Sequence, residues 1–158
     1  MGGGVKLNLG ACDRALPDYR SVDIAPPADE IADLTKAWPW PDSSIEAVYA
    51  HDVFEHLPDK RHTMNELYRV LEPGGTADVC VPTIRGVGAC CDPTHLSLWS
   101  AGDFEYYERG NYARERFRNS PYYGINADFS IAGFEHVHYV NKFDETVWKF
   151  RVHLKAEK

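Results

Sequence analysis

Gly10 and Asp23 each close a short β-prone run, and only twelve residues lie between them. A crossover between parallel strands that carries a full helix needs about 20 residues from such a glycine to such an acid. The stretch between them also holds Pro17 and few helix formers. A chain of this kind must pass from its first strand to its second with a single helical turn or none. The next link is tighter, because Pro26-Pro27 stops the second run and residues 25–29 leave no room for a helix.

Further β-prone runs follow the same plan. Residues 5–9 alternate apolar and polar up to Gly10, residues 21–24 and 30–33 are brief, residues 45–50 follow the turn Pro41-Asp42-Ser43-Ser44, and residues 76–81 end at Pro82. Between the last two, Met64, Leu67, Tyr68 and Leu71 fall at helical spacing. They predict a helix with Pro58-Asp59 in its first turn and Pro73-Gly74-Gly75 as its stop. Residues 86–126 are irregular and aromatic, with one short helix expected over 100–107, capped by Ser100 with Asp103 at its third position. Residues 134–140 and 148–155 flank a polar turn. In the second run Trp148, Phe150, Val152 and Leu154 alternate with Lys149, Arg151, His153 and Lys155, the pattern of a half-exposed strand in an antiparallel hairpin. Together these elements predict an α/β fold with a mostly parallel sheet and a C-terminal antiparallel hairpin.

At 158 residues the chain fits one domain spanning 1–158, with residues 1–4 read as a flexible lead-in or tag remnant and 86–126 as an irregular insertion on the substrate side. No apolar run approaches the roughly 20 residues of a membrane helix. The net charge of −7 argues against a broad phosphate-binding surface, so nucleic acid is not the expected partner. Cys12, Cys80, Cys90 and Cys91 form no C-x-x-C pair, and a chain of this size needs no covalent staples; reduced thiols and a cytoplasmic location are expected. Missing crossover helices leave one face of a parallel sheet without its usual cover. Either residues 86–126 fold across that face or a homodimer buries it.

In open α/β sheets, ligands bind beyond the carboxyl ends of the strands. The first such end carries Gly10, where backbone can approach a ligand closely. The second carries Asp23, a carboxylate able to accept both hydroxyls of a ribose. The third carries Asp33, which suits an exocyclic amine. The fourth carries His51-Asp52, with Glu55-His56 one turn on. Each alone reads as an ordinary turn or cap; their succession points to a nucleoside-bearing ligand.

Seven stretches extend the pattern: Leu7-Asn8-Leu9-Gly10-Ala11-Cys12-Asp13, Ser21-Val22-Asp23-Ile24, Asp33-Leu34-Thr35, Trp38-Pro39-Trp40-Pro41-Asp42-Ser43-Ser44-Ile45, Val53-Phe54-Glu55-His56-Leu57, Tyr68-Arg69-Val70-Leu71-Glu72-Pro73-Gly74-Gly75 and Asp92-Pro93-Thr94-His95. In these the chain resembles the class I S-adenosylmethionine-dependent methyltransferases, and most of all their small type 11 members. The resemblance implies a Rossmann-like sheet and S-adenosylmethionine as cofactor. It places Leu9, Gly10 and Ala11 against the methionine portion, Asp23 and Ile24 at the ribose, and Asp33 and Leu34 at the adenine. His51 and Asp52 then flank the sulfonium and the acceptor. The chain departs from the family where Ala11-Cys12-Asp13 replaces a second glycine. A missing first helix also removes the N-terminus that would face the cofactor carboxylate.

Methyl transfer is an in-line displacement that chiefly needs donor and nucleophile held in register. A base is needed only when the acceptor must lose a proton. His95, His56 and Asp52 are the catalytic candidates, with His95 poised by Asp92 or Asp52. Trp99, Phe104, Tyr106, Tyr107, Tyr112, Phe117, Tyr122 and Tyr123, interleaved with Arg109, Arg114, Arg116 and Arg118, read either as an acceptor lid or as a satellite core. No metal is expected, since Cys90-Cys91 with His95, and His136-x-His138, lack the paired spacing of zinc sites. The expected function is methyl transfer to a small-molecule or saccharide acceptor. The alternative is a protein of the same fold that binds S-adenosylmethionine or S-adenosylhomocysteine without methyltransferase activity. A nicotinamide oxidoreductase is disfavoured because no G-x-G-x-x-G opens a helix.

Overall fold

The computed structural model describes residues 4–112, 115–116, 120 and 122–158. Seven strands form one sheet: β1 (Val5–Leu9), β2 (Arg20–Asp23), β3 (Glu30–Ile31), β4 (Ile45–His51), β5 (Leu71–Pro82), β6 (Phe129–Val140) and β7 (Thr146–Ala156). Their order is β3-β2-β1-β4-β5-β7-β6. The first five run parallel, β7 runs antiparallel to β5, and β6 returns antiparallel to β7. This is the mostly parallel sheet with a terminal hairpin that the sequence implies.

No helix lies between β1 and β2 or between β2 and β3. The first crossover instead lies back on the sheet as irregular chain. Ala11 N donates to Val22 O at 3.1 Å, Asn8 Nδ2 donates to Arg14 O at 2.7 Å, and Tyr19 meets the ring of Tyr49 edge-on.

Helix α1 (Lys60–Val70) links β4 to β5. The Asp59 carboxylate caps it by accepting from His62 N at 2.9 Å, satisfying one of the free amides of the first turn. Met64, Leu67 and Val70 are fully buried and share one core with Leu7, Leu9, Val48 and Val79 from the strands. Leu71, expected as the last residue of this stripe, has left the helix. It takes extended angles and pairs with Ile45 as the first residue of β5. Residues 72–75 then bulge out before pairing resumes at Thr76. Gly74 sits at φ +79°, and a Cβ on Gly75 would press on the carbonyls of Glu72 and Glu46. The two glycines thus serve a strand bulge rather than a helix stop.

Folding of residues 86–126 across the helix-free face is one of the two covers the sequence allows, and the described residues of that segment do not lie there. The segment forms α2 (Gly88–Cys91), which no sequence signal announced, and α3 (Ala101–Glu105), which starts at the anticipated capping box of Ser100 and Asp103. Trp99 and Phe104 are buried beside Phe54 and Phe150, on the side that α1 already covers. Asn65 of α1 binds the Gly124 carbonyl and the amides of Asn126 and Ala127. The satellite-core reading therefore accounts for Trp99, Phe104 and Tyr107, whereas Arg114, Phe117 and Arg118 lie outside the described residues. No helix among the described residues is long and apolar enough to cross a membrane.

The helix-free face is polar instead of covered. Strand alternation places Asn8, Tyr49, His51, Asp78, Arg151 and His153 opposite the core side. Asp78 accepts from Arg151 Nε at 2.8 Å, from Arg151 Nη2, and from His51 Nε2 at 3.1 Å. The other ring nitrogen of His51, Nδ1, lies 2.7 Å from the Tyr49 hydroxyl. Glu135 adds a longer contact to Arg151 at 3.7 Å.

Burial alone would raise the Asp78 carboxyl, but the hydrogen bonds from Arg151 and His51 outweigh it and hold the group well below its ordinary 3.8. A carboxyl depressed in the folded state stabilises fully above its unfolded pKa and loses that contribution as the pH falls toward its folded value. Asp78→Asn is therefore expected to cost about 1.5–3 kcal/mol at pH 7. The gap from the parent should close as urea unfolding is repeated at pH values progressively below 3.8. A gap independent of pH would show that the ion pairs do not hold this face.

Candidate functional site

The strand order reverses between β1 and β4, and the chain leaves the sheet there through strained or glycine-bearing turns. Gly10 follows β1 at φ +63°, a conformation that suits glycine, and a Cβ on it would lie 2.7 Å from Val53 Cβ. Cys12 and Asp52 also take positive φ, 49° and 57°. Asp23 ends β2 with its carboxylate aimed back at these turns, where Oδ2 accepts from Cys12 N at 2.8 Å and Oδ1 from Ile24 N at 2.7 Å. A carboxylate offers about four lone-pair sites, so both oxygens retain capacity for a ligand. Asp33, past β3, is held by Thr35, whose hydroxyl and amide donate to Oδ1 at 2.6 and 3.1 Å, and by Lys36 at 2.9 Å. The Thr35 hydroxyl first, then Lys36, keep the Asp33 carboxyl at about 2.

Gly10, Asp23 and Asp33 line one cavity of about 300 Å³. Ile24, Ala32, Leu34, Val53 and Leu57 form its apolar walls, and Asp52 and His56 stand at its far side. A second cavity, about 370 Å³, opens on the other side of Gly10 beside Ala11, Arg14, His51 and Arg151. Six of the expected ligand residues thus converge on the first cavity: Gly10, Asp23, Ile24, Asp33, Leu34 and Asp52. Ala11 and His51 fall in the second, with the His51 ring committed to Tyr49 and Asp78. The Leu9 side chain is wholly buried in the core and lines neither.

Asp52 and His56 also line a third cavity, about 520 Å³, together with Glu55, His95, Tyr139 and Lys149. Two distant pieces of chain build it. Leu96 N and Ser97 N both donate to the Glu55 carbonyl at 2.8 and 3.0 Å. Ser97 Oγ and Trp99 Nε1 donate to the Phe54 carbonyl at 3.1 and 3.2 Å. Asp92 Oδ1 accepts from the amide and hydroxyl of Thr94, closing a turn that presents His95. The three-residue 3₁₀ turn Phe54–His56 and residues 92–97 are consequently one local structure.

His95 Nε2 lies 3.9 Å from Asp92 Oδ2 and 4.0 Å from Glu55 Oε1. The expected partner Asp52 is taken by Lys149, whose Nζ sits 2.5 Å from Oδ2. Burial disfavours the Lys149 cation, yet the Asp52 carboxylate more than compensates and the ammonium is held charged above its ordinary range. Burial pushes the Glu55 carboxyl up to about 7; the residue is 2% exposed. Sequence reasoning passed over Lys149 and Glu55 as site residues. Lys149 reaches the site because antiparallel pairing sets it across from Pro82, at the carboxyl end of β5, and no local spacing carries that register. Glu55 did leave a signal: a lone acid between Phe54 and His56 in a run otherwise bound for the core.

The mostly parallel sheet, with an apolar-walled cavity and two carboxylates at the point where its strand order reverses, is Rossmann-like. Comparison with known proteins agrees. The family model described as a methyltransferase domain matches residues 1–77. Over that stretch, just under half of its length, the chain is similar to methyltransferase domains in sequence, and over its whole length it has their Rossmann-like fold. A 37-residue stretch, 23% of the chain, is 43% identical to 27-O-demethylrifamycin SV methyltransferase of Amycolatopsis mediterranei, and this covers 14% of that protein. In fold, the chain is similar to the YcgJ protein of Bacillus subtilis, with a TM-score of 0.66 at 11% identity over 98% of this chain and 92% of that one. It is also similar to Haemonchus contortus phosphoethanolamine N-methyltransferase 2 in complex with S-adenosyl-L-methionine, with a TM-score of 0.59 at 13% identity over all of this chain and 50% of that one.

Asp23→Ala is expected to weaken binding of S-adenosylmethionine and S-adenosylhomocysteine alike by about 1–3 kcal/mol, the worth of hydrogen bonds to a charged acceptor. Calorimetric titration reads this directly, and an unchanged affinity would remove Asp23 from the site.

Proposed function

We propose that the chain transfers a methyl group from S-adenosylmethionine to a small-molecule or saccharide acceptor. The observation that carries this reading is the meeting of Gly10, Asp23 and Asp33 in one cavity that opens, past Asp52 and His56, onto a second space of acceptor size. The residues present fit an adenosine-bearing ligand. The cavity lies at the lower end of small-molecule sites, roughly 300–1,000 Å³, and its walls are apolar where an adenine ring would lie. Bare backbone at Gly10 meets it, and both acids keep free lone pairs.

When bound, S-adenosylmethionine supplies an electrophilic methyl group on a sulfonium. Asp23 accepts from the ribose hydroxyls, with Ile24 against the sugar. Leu34 and Asp33 take the adenine. The backbone of Gly10 and Ala11 follows the methionine portion toward the second cavity, where the Arg14 guanidinium stands in for the absent helix N-terminus as the partner of its carboxylate. Asp52 and His56, which touch both spaces, stand where the methyl group crosses. His95 Nδ1 faces the Ala89 carbonyl at 3.1 Å. A carbonyl only accepts, so that nitrogen carries the hydrogen, and Nε2 of the neutral ring is free to take a proton from an acceptor hydroxyl.

The helix-free face is satisfied by its own ion pairs, and this function does not need the homodimer considered from the sequence. All four cysteines are free, which suits a reducing, cytoplasmic setting.

Two outcomes test the reading. Arg14→Ala should weaken S-adenosylmethionine binding roughly 5- to 100-fold while leaving affinity for adenosine unchanged, measured by calorimetry. Methyl-labelled cofactor offered with a panel of hydroxylated small molecules and sugars should deliver label to at least one of them. Tight cofactor binding with no transfer to any acceptor would favour the binding protein without methyltransferase activity.

A further inference from the structure

Glu55, His56 and His95 each bring one donor atom to the floor of the third cavity, and the three atoms lie within 4.8 Å of one another. We infer that these side chains bind a divalent transition-metal ion of the zinc class. Spacing in the sequence gives no zinc pattern here, because the donors come from two segments that only the pinned 54–56 and 92–97 turns bring together.

Three observations carry the inference. The first is the tautomer of both rings. His95 Nδ1 faces the Ala89 carbonyl at 3.1 Å, and His56 Nδ1 faces the Thr94 carbonyl at 3.2 Å and the Thr94 hydroxyl, whose own hydrogen goes to Asp92, at 3.1 Å. Each Nδ1 must donate, which leaves both Nε2 atoms as bare lone pairs; metal-bound histidines are oriented by the same kind of outer hydrogen bond. The second is Glu55. Its Oε2 is buried and meets no hydrogen-bond partner among the described residues, although a buried polar oxygen ordinarily has one. The third is separation. Glu55 Oε1 and His95 Nε2 stand 4.0 Å apart, too far for a hydrogen bond and close enough for two ligands of one ion.

Ligands of a tetrahedral zinc ion sit about 3.3 Å from each other, given metal–ligand distances near 2.0–2.1 Å, so from separations of up to 4.8 Å the donors must draw in by as much as about 1.5 Å. Two imidazoles with one carboxylate select zinc or a neighbouring transition metal over magnesium or calcium, which prefer all-oxygen shells. Three protein ligands leave a position open toward the cavity. Resting on the methyl-transfer reading, that open position faces the acceptor; with the ion bound, His95 Nε2 is no longer available as a base, and the ion would instead favour loss of the acceptor's proton, selecting acceptors bearing an ionisable oxygen.

Metal-stripped protein is titrated with zinc and, separately, with cobalt(II), whose visible absorption reports tetrahedral ligation. One equivalent should bind, Glu55→Gln and His95→Gln should each weaken binding at least tenfold, and His138→Ala should leave it unchanged. Circular-dichroism melts and S-adenosylmethionine calorimetry on the same samples verify that each variant folds and holds cofactor. The site is overturned if the parent protein takes up no ion, or if folded Glu55→Gln and His95→Gln bind as the parent does. The two readings fail separately. Cofactor binding without metal uptake removes the metal site alone, and metal uptake by a protein that binds no S-adenosylmethionine removes the methyl-transfer reading and leaves the metal site standing.

Discussion

A parallel sheet normally hides both faces under crossover helices, and this one has lost the helices of its first two crossovers. The physical solution is written into strand alternation. Leu7, Val48, Val79 and Val152 point toward α1 and are fully buried or nearly so, whereas their neighbours Asn8, Tyr49, Asp78 and Arg151 point the other way. The exposed side is then closed by its own hydrogen bonds, with Asp78 between His51 and Arg151 and the Arg14 carbonyl on Asn8. Apolar side chains there would have demanded a partner; ion-paired ones are content in water.

That economy shapes the site. With no helix standing behind β1, Gly10 becomes the thin wall between two cavities, and Asp52 touches all three. In the proposed reading, side-chain charge takes the place of a helix dipole, since Arg14 and Lys149 both line the second cavity. Neutralisation is local. Lys149 answers Asp52, and Lys36 answers Asp33, while Asp23 accepts from the backbone amides of Cys12 and Ile24.

Much of this was legible before any coordinates. The short Gly10–Asp23 spacing foretold a helix-free crossover, the alternation of residues 148–155 foretold a hairpin, and the Ser100–Asp103 pair foretold a helix start. Convergence of Gly10, Asp23 and Asp33 followed from topology, since every parallel strand ends at the same rim. What could not be read were features set by pairing register and by contacts between distant segments. Leu71 keeps the helical period yet belongs to β5, because backbone pairing with Ile45 outweighs the side-chain stripe. Residues 86–126 are one of two covers the sequence allows for the bare face, but contacts with Phe54 and Phe150 hold Trp99 and Phe104 on the α1 side. Lys149 and Glu55 are site residues by virtue of partners 97 and 40 positions away, respectively, namely Asp52 and His95.

The pinning of Phe54–His56 to residues 92–97 shows why two motifs far apart in sequence behave as one. The Phe54 carbonyl takes the turn's own Leu57 amide, whereas the Glu55 carbonyl falls past the last internal bond and needs outside donors; Leu96 and Ser97 supply these, and the Ser97 hydroxyl and Trp99 indole add to Phe54. Once those bonds form, the backbone at 94–96 has little freedom, and His95 must lie beside Glu55. The acid is thereby buried, and the histidine faces it across a gap that neither can close by a direct hydrogen bond. A fold that pins these groups so firmly and leaves them 4.0 Å apart has made room between them for a third body.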